Sequence, residues 1–505
     1  MASPRLERRS NVVSDLPNPH VPISVIASPA VPVERAAVVE LASFAEIADT
    51  IDSLRADHGE LVDRDATVER IVCTPDFHKG AGIPIGTVAV TRGFAIPQAV
   101  GNDVGCGMRL VATELRADEM RAHLDRFERA ARHVFFEGGR HTGLTATERR
   151  AVIERGPAGL ADLDRDGQDA GLWDTATTEL VDAGRTHAAS VGAAPGTSAF
   201  ESWIRPDEKD VAYDAVLGSI GGSNHFVEVQ RVARILDTHA ARVMGLQVGQ
   251  VCVMAHSGSL SLGHAVGAVG IAATRVAWPQ GRPQPRNGVL PLPGRGAGEA
   301  PLTRWLEAVA GAANFATANR FVLTLMALTS LRAAVDRNVD ARLVWDAPHN
   351  LVWRDGPMYT HRKGATPAGG ADAVADRPYA ALGGEPVLVP GSMGAPSWIL
   401  VGTGSSLCCG SACHGAGRSV PRGRARGVDD VALDAFLERF RIVTPLDVRR
   451  PDVVGRRDII GRWRQQLAEE APWAYKDVGP VVETLEAADV ARRVVELEPI
   501  ATIKA

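Results

Sequence analysis

The chain has 505 residues, of which 45% are hydrophobic and 23% charged, and its formal net charge is −5. That balance suits a soluble globular protein and excludes a whole-chain basic field, so any nucleic-acid contact must use a local patch. Six cysteines make no disulfide framework, no apolar run approaches roughly 18 residues, and the first 35 residues lack a signal-type apolar core, so a soluble cytoplasmic protein is expected.

In chain order, residues 1–31 are polar and proline-punctuated and read as a loose N-terminal leader. Apolar residues at helical spacing predict an amphipathic helix from Glu34 to Leu54. Arg70 to Thr74 reads as a short buried strand running into PDFHKGAGIPIG, and TVAV and FAIPQAV suggest a strand pair ahead of GNDVGCGM. Residues 156–198, rich in Asp, Ala, Gly and Thr, form an expected surface excursion. VGQVCVMAH is a β-type run that ends at His256. Residues 278–301 hold six prolines and five glycines and predict a second excursion, a long irregular loop. Thr303 to Val335 is the longest predicted helix, with Thr303 as its N-cap. RLVWDAPHN repeats the strand-then-histidine design, and PVLVPGSMG and SWILVGTG are apolar strands ending in glycine turns. Strands feeding short polar loops, with helices between, predict an α+β fold of mixed sheets packed with helices. Because candidate ligands run from position 103 to 414, one interwoven catalytic domain over 32–505 is expected.

The polar turns carry the chemistry. Asp103, Cys106, His225, His256 and His349 offer a carboxylate, a thiolate and three imidazoles, enough for one closed metal site or two open ones sharing a bridging thiolate. Zinc or iron would suit the sulfur, and composition alone selects no metal. Each imidazole needs a partner to fix its tautomer, which Asn224, Asn350 or backbone carbonyls can supply. Taken singly, each histidine reads equally well as a satisfied buried residue. SACHGAGR sets His414 among small residues, so its neutral imidazole can act as a nucleophile on phosphorus while Arg418 grips a phosphate. A plain turn with a structural histidine is the alternative. Cys408, Cys409 and Cys413 beside it read as small buried thiols. Four arginines between Arg418 and Arg426, together with Arg362 and Lys363, suit phosphate or RNA backbone, although a solvated loop fits Arg424 and Arg426 as well. PDFHKG groups Asp76, His78 and Lys79 as an acid/base or phosphate-ordering set, or as an incidental turn.

Taken together and in this order, PDFHKGAGIPIG, IPQAVGNDVGCGM, GGSNHFVE, HSGS with LGH, AANFATANR, HNLV, HRKGATPA, VLVPGSMG, HGAGR and AYKDV resemble the RtcB family of RNA ligases from about residue 30 onward. The resemblance implies an RtcB-like fold around a central metal and GTP cleft. It also implies an enzyme that joins an RNA 3′-phosphate or 2′,3′-cyclic phosphate to a 5′-hydroxyl with GTP and manganese, in tRNA splicing or RNA repair. His414 matches the guanylylated histidine, with Asp76 also catalytic. Asp103, Cys106, His225, His256 and His349 match the ligands of two manganese ions, Cys106 bridging. Asn224, Glu228, Ser392, Gly415, Ala416, Gly417, Arg418, Tyr475 and Lys504 match the GTP-binding positions. An activating helper protein is a further implied partner, and no membrane is. After HSGS the family commonly continues Arg-Gly, where this chain has Leu260 and Ser261, and Pro348 before His349 is also unusual. Losing that cation motivates a second reading, a guanylyltransferase that caps or repairs 3′-phosphate nucleic-acid ends; a lapsed RNA-binding homologue is a third.

Overall fold

The computed structural model describes residues 4–140, 143–161, 180, 191–206, 211–213, 216–377, 379–425 and 430–505. The architecture is mixed α and β, as expected. Among the described residues one sheet has seven strands, in the order Glu7–Arg8, Val13–Asp15, Ile23–Ile26, Thr67–His78, Ile85–Arg92, Met358–Lys363, Asn350–Asp355. The second has eight. Its main path runs Ala341–Pro348, Gly107–Arg116, Gln250–Ser257, Phe226–Ile235, Ala491–Ile503, Ser397–Gly402, Pro386–Val389, and Arg441–Val443 joins in parallel on Ala491–Ile503. No described helix is long and apolar enough to cross a membrane.

Side-chain alternation positions the second sheet. Val111 and Val253 face the long helix Glu299–Val335, sharing a core with Val309, Phe315 and Val322, whereas Leu110 and Met254 point to a separate cluster on the other face. His256 has the parity of Met254, so it sits on the face away from that helix. Gly107 pairs with Ser257 on one side and Pro348 on the other, so three ligand-bearing chains end side by side.

Several expectations are corrected. The segment 1–31 is not a loose leader: Ile23–Ile26 pairs in parallel with Thr67–His78, and Val13, Ile23, Val25 and Ile26 are at most 5% exposed. Burying each such side chain contributes about 1.5–3 kcal/mol, which outweighs the local proline and polar signals. The helix expected over Glu34–Leu54 is two, Arg35–Ala45 and Ile47–Asp57, separated at Glu46. The long helix begins at Glu299 rather than Thr303, whose hydroxyl instead donates to the Glu299 carbonyl. Pro301 falls in its first turn, where an N–H has no intrahelical acceptor to lose. Within 278–301 the part from 279 to 288 is irregular and solvent-facing, as expected, whereas Val289, Leu290 and Leu292 are buried and Leu292–Pro293 pairs with Phe94–Ala95, so the end of the stretch joins the core. Most of the excursion expected over 156–198 lies outside the described residues. Of its described members, Leu160, Leu180 and Val191 are buried, while Gly192, Ala194 and Ser198 are exposed.

Candidate active site

The turn after Val100 must pass close to the long helix. A Cβ on Gly105, whose φ is +76°, would lie 2.9 Å from Ala316 Cβ and 3.0 Å from Ala313 Cα. Only glycine fits that approach and that conformation. The turn closes with Cys106 N donating to the Asp103 carbonyl at 3.1 Å, which brings carboxylate and thiol to one side.

Asp103, Cys106, His225, His256 and His349 all converge. Cys106 Sγ lies 3.2 Å from His225 Nε2 and 3.4 Å from His256 Nε2, and His256 Nε2 lies 3.4 Å from His349 Nε2. Asp103 Oδ2 is 3.2 Å from His225 Nε2. The tautomers follow from the backbone: His225 Nδ1 faces the Ile220 carbonyl and His256 Nδ1 the Asn224 carbonyl, each at 3.0 Å. A carbonyl only accepts, so Nδ1 carries the hydrogen in both rings and Nε2 presents a lone pair. Of the partners considered from sequence, backbone carbonyls do this work; the Asn350 side chain instead accepts from Gly364 N at 2.8 Å.

Burial holds His256 and His349 far below the usual histidine range, so both are neutral donors. The Leu260 amide donates to Asp103 Oδ1 at 2.7 Å, which favours the charged carboxylate. Burial and then the Asp103 charge push the Cys106 thiol up. One thiol proton can serve only one neighbour, and among the described residues no hydrogen-bond donor serves Asp103 Oδ2. Buried acceptors therefore face one another, an arrangement that a cation resolves while also favouring the thiolate. Cys106, His225 and His256, with ligand atoms within 4.8 Å of one another, can hold a metal ion.

His414 follows the Ser411–Cys413 strand, which pairs with Ala365–Pro367, and its ring centroid is 4.7 Å from that of His349. Asp76 Oδ2 accepts from His414 Nδ1 at 2.5 Å, while Asp76 Oδ1 accepts from Thr74 Oγ1 at 2.5 Å. Burial opposes the Asp76 charge, yet His414 and Thr74 carry its carboxyl below the usual range. Nδ1 being committed, Nε2 is the His414 atom left to act as nucleophile. Gly417 (φ +76°) lets the following backbone cross this strand, since a Cβ there would lie 2.3 Å from the Asp76 carbonyl.

One cleft joins these groups. Asn224, Ser392, Gly415, Ala416, Gly417, Arg418, Tyr475 and Lys504 line it beside His414 and the ligand cluster. A family model for the tRNA-splicing ligase RtcB matches residues 61–505. The chain belongs to the RtcB family. The tRNA-splicing ligase RtcB of Pyrobaculum aerophilum is 31% identical over 471 residues, covering 86% of this chain and 87% of its own. The RNA-splicing ligase RtcB of Mycobacterium tuberculosis is 33% identical over 465 residues, 85% of this chain and 95% of its own. RNA-splicing ligase RtcB homolog 1 of Entamoeba histolytica is 29% identical over 471 residues, 86% of this chain and 81% of its own.

Not every expected RtcB site residue meets the cleft as a free group. Glu228 is buried behind its wall, accepting from Thr502 Oγ1 and, at 2.7 Å, from Gln230 Nε2; burial pushes its carboxyl up to about 7. Arg418 lines the cleft, but its guanidinium stacks 4.8 Å from the Tyr475 ring centroid and reaches Glu470 Oε1 at 3.4 Å. Arg362 and Lys363 are buried, Arg362 against Trp353 and Lys363 donating to the Ile83 carbonyl, so neither offers its charge to a phosphate backbone. Sequence reasoning missed Thr74, two residues before Asp76 and readable as its partner. It also missed Glu470 and Thr502, which no local signal marks.

Proposed function

We propose that this chain is a GTP- and manganese-dependent RNA ligase that joins RNA 3′-phosphate or 2′,3′-cyclic phosphate ends to 5′-hydroxyl ends in tRNA splicing or RNA repair. One observation carries the reading: His414, its Nδ1 held by Asp76, shares a cleft with the Asp103–Cys106–His225–His256–His349 donor set. The naming of its relatives as RNA- and tRNA-splicing ligases agrees with it. His414 Nε2 attacks the α-phosphorus of GTP; an N–P bond forms, the bond to pyrophosphate breaks, and Asp76 keeps the imidazolium that develops. GMP then passes to the RNA 3′-phosphate and frees His414. The 5′-hydroxyl attacks that activated phosphorus and GMP leaves; a cyclic end is first opened by water. Manganese held by the five donors would neutralise charge on the transferring phosphoryl groups. Asn224, Ser392, Gly415, Ala416, Gly417, Tyr475 and Lys504 cradle the nucleotide, Glu228 acts on it through Thr502, and Arg418 swings from Glu470 to meet phosphate. Six unpaired cysteines suit a cytoplasmic setting.

Intact-mass measurement after incubation with GTP and manganese tests this directly. A single GMP adduct on the unaltered chain, absent from His414→Ala, is expected. No adduct on folded, metal-loaded protein would overturn the reading.

A further inference from the structure

The segment AANFATANR ends in Arg320, a fully buried arginine on the helix face turned toward the ligand turns. All five of its N–H donors have acceptors. Nη1 donates to the Gly105 carbonyl at 2.7 Å and to the Ser257 carbonyl at 3.0 Å. Nη2 donates to Asp346 Oδ1 at 2.6 Å and to Thr317 Oγ1 at 3.3 Å, and Nε faces the same carboxylate at 3.2 and 3.3 Å.

Those acceptors are not arbitrary positions. Gly105 immediately precedes Cys106, Ser257 immediately follows His256, and Asp346 lies on the strand that delivers His349. The sheet pairing of all three chains ends at Gly107, where Ser257 and Pro348 are its partners. Past that point His349 N donates to the Cys106 carbonyl and Gly105 N to the Asn350 carbonyl, each at 2.7 Å, and the Arg320 guanidinium adds a tie that also reaches the His256 segment. Asp346 also accepts from Arg109 Nη1 at 3.3 Å, but Arg109 spends its other contact on the Leu180 carbonyl and touches neither ligand turn. Two buried arginines thus share one carboxylate, with different outward reach.

We propose that Arg320 is a positioning residue of the metal centre, holding the Cys106, His256 and His349 segments in register through its planar fork. This rests on the metal reading above. A lysine keeps the charge but not the fork, so it cannot span two carbonyls and a carboxylate at once.

Titration of the full-length, metal-free chain with Co²⁺, following thiolate-to-cobalt absorption, reads this without any turnover. Arg320→Lys should weaken Co²⁺ binding by about 10- to 100-fold, the usual loss when a ligand's support is removed. Arg109→Lys, which disturbs the same buried carboxylate, should leave the affinity near that of the unaltered chain even where melting temperature falls. Equal loss of affinity in both variants, in step with stability, would overturn the proposal. If Arg320→Lys does not fold, Asp346→Asn decides: it keeps the side-chain shape while loosening the same guanidinium, and unchanged Co²⁺ affinity would overturn the proposal. Failure of the unaltered chain to bind Co²⁺ would instead overturn the metal reading on which it stands.

Discussion

His414 owes its chemistry to a residue far from it in the chain. Asp76 Oδ2 lies 2.5 Å from Nδ1, and the ionised carboxylate makes it a strong, charge-assisted acceptor for that hydrogen. Asp76→Asn keeps the shape but offers an amide, which can present its N–H₂ to Nδ1 and leave the wrong tautomer. GMP-adduct formation should therefore slow by about 10²-fold or more while GTP binding is retained; single-turnover mass measurement checks the rate, and an unchanged rate would refute the role. Glu228 gives the clearest pH dependence. Its carboxyl moves from an ordinary value near 4.5 to about 7 because burial disfavours the charge. A raised folded pKa means stability is fully present below the unfolded value and is lost as pH rises through about 7. Glu228→Gln, which never ionises, should match the unaltered chain in melting temperature at about pH 5 and exceed it at about pH 8, the gap reflecting about 3 kcal/mol at most. Equal melting temperatures at both values would contradict the assignment.

At the scale of elements, the 37-residue helix Glu299–Val335 is a scaffold more than a wall. Its small residues Ala313 and Ala316 let the Gly105 turn come within van der Waals contact, and Asn319 donates to the Ser219 and Gly258 carbonyls near the ligand turns. Ala316→Leu would force added methyl groups into that contact. Overpacking of this kind costs about 1–3 kcal/mol, so melting temperature should fall, and Co²⁺ affinity should fall with it as the Cys106 turn is displaced. Lowered stability with untouched affinity would show that the turn is not seated on the helix. This helix was legible from its apolar run, but its start was not. Pro301 and the glycines before it read as loop until the first turn's tolerance for proline is taken into account.

Across the whole molecule, the N-terminal strands brace the sheet that carries Asp76 and His78. Deleting residues 1–31 would bare the edge of Thr67–His78 and lose the buried side chains of Val13, Ile23, Val25 and Ile26. The truncated chain should aggregate or melt far earlier by scattering and calorimetry; an unchanged melting temperature would restore the reading of a loose leader. The sequence by itself determined the donor inventory, the family, and which strands end in ligand-bearing turns, because a histidine or cysteine beside glycine in a short turn is a local signal. Only the tertiary structure decided which nitrogen of each ring faces inward, since the carbonyls of Ile220 and Asn224 settle that through space. It alone turned Arg362 and Lys363 inward, set Arg418 against Glu470, and placed Arg320 beneath three turns. The direction of a charge depends on what packs around it, and that packing is made by residues hundreds of positions apart.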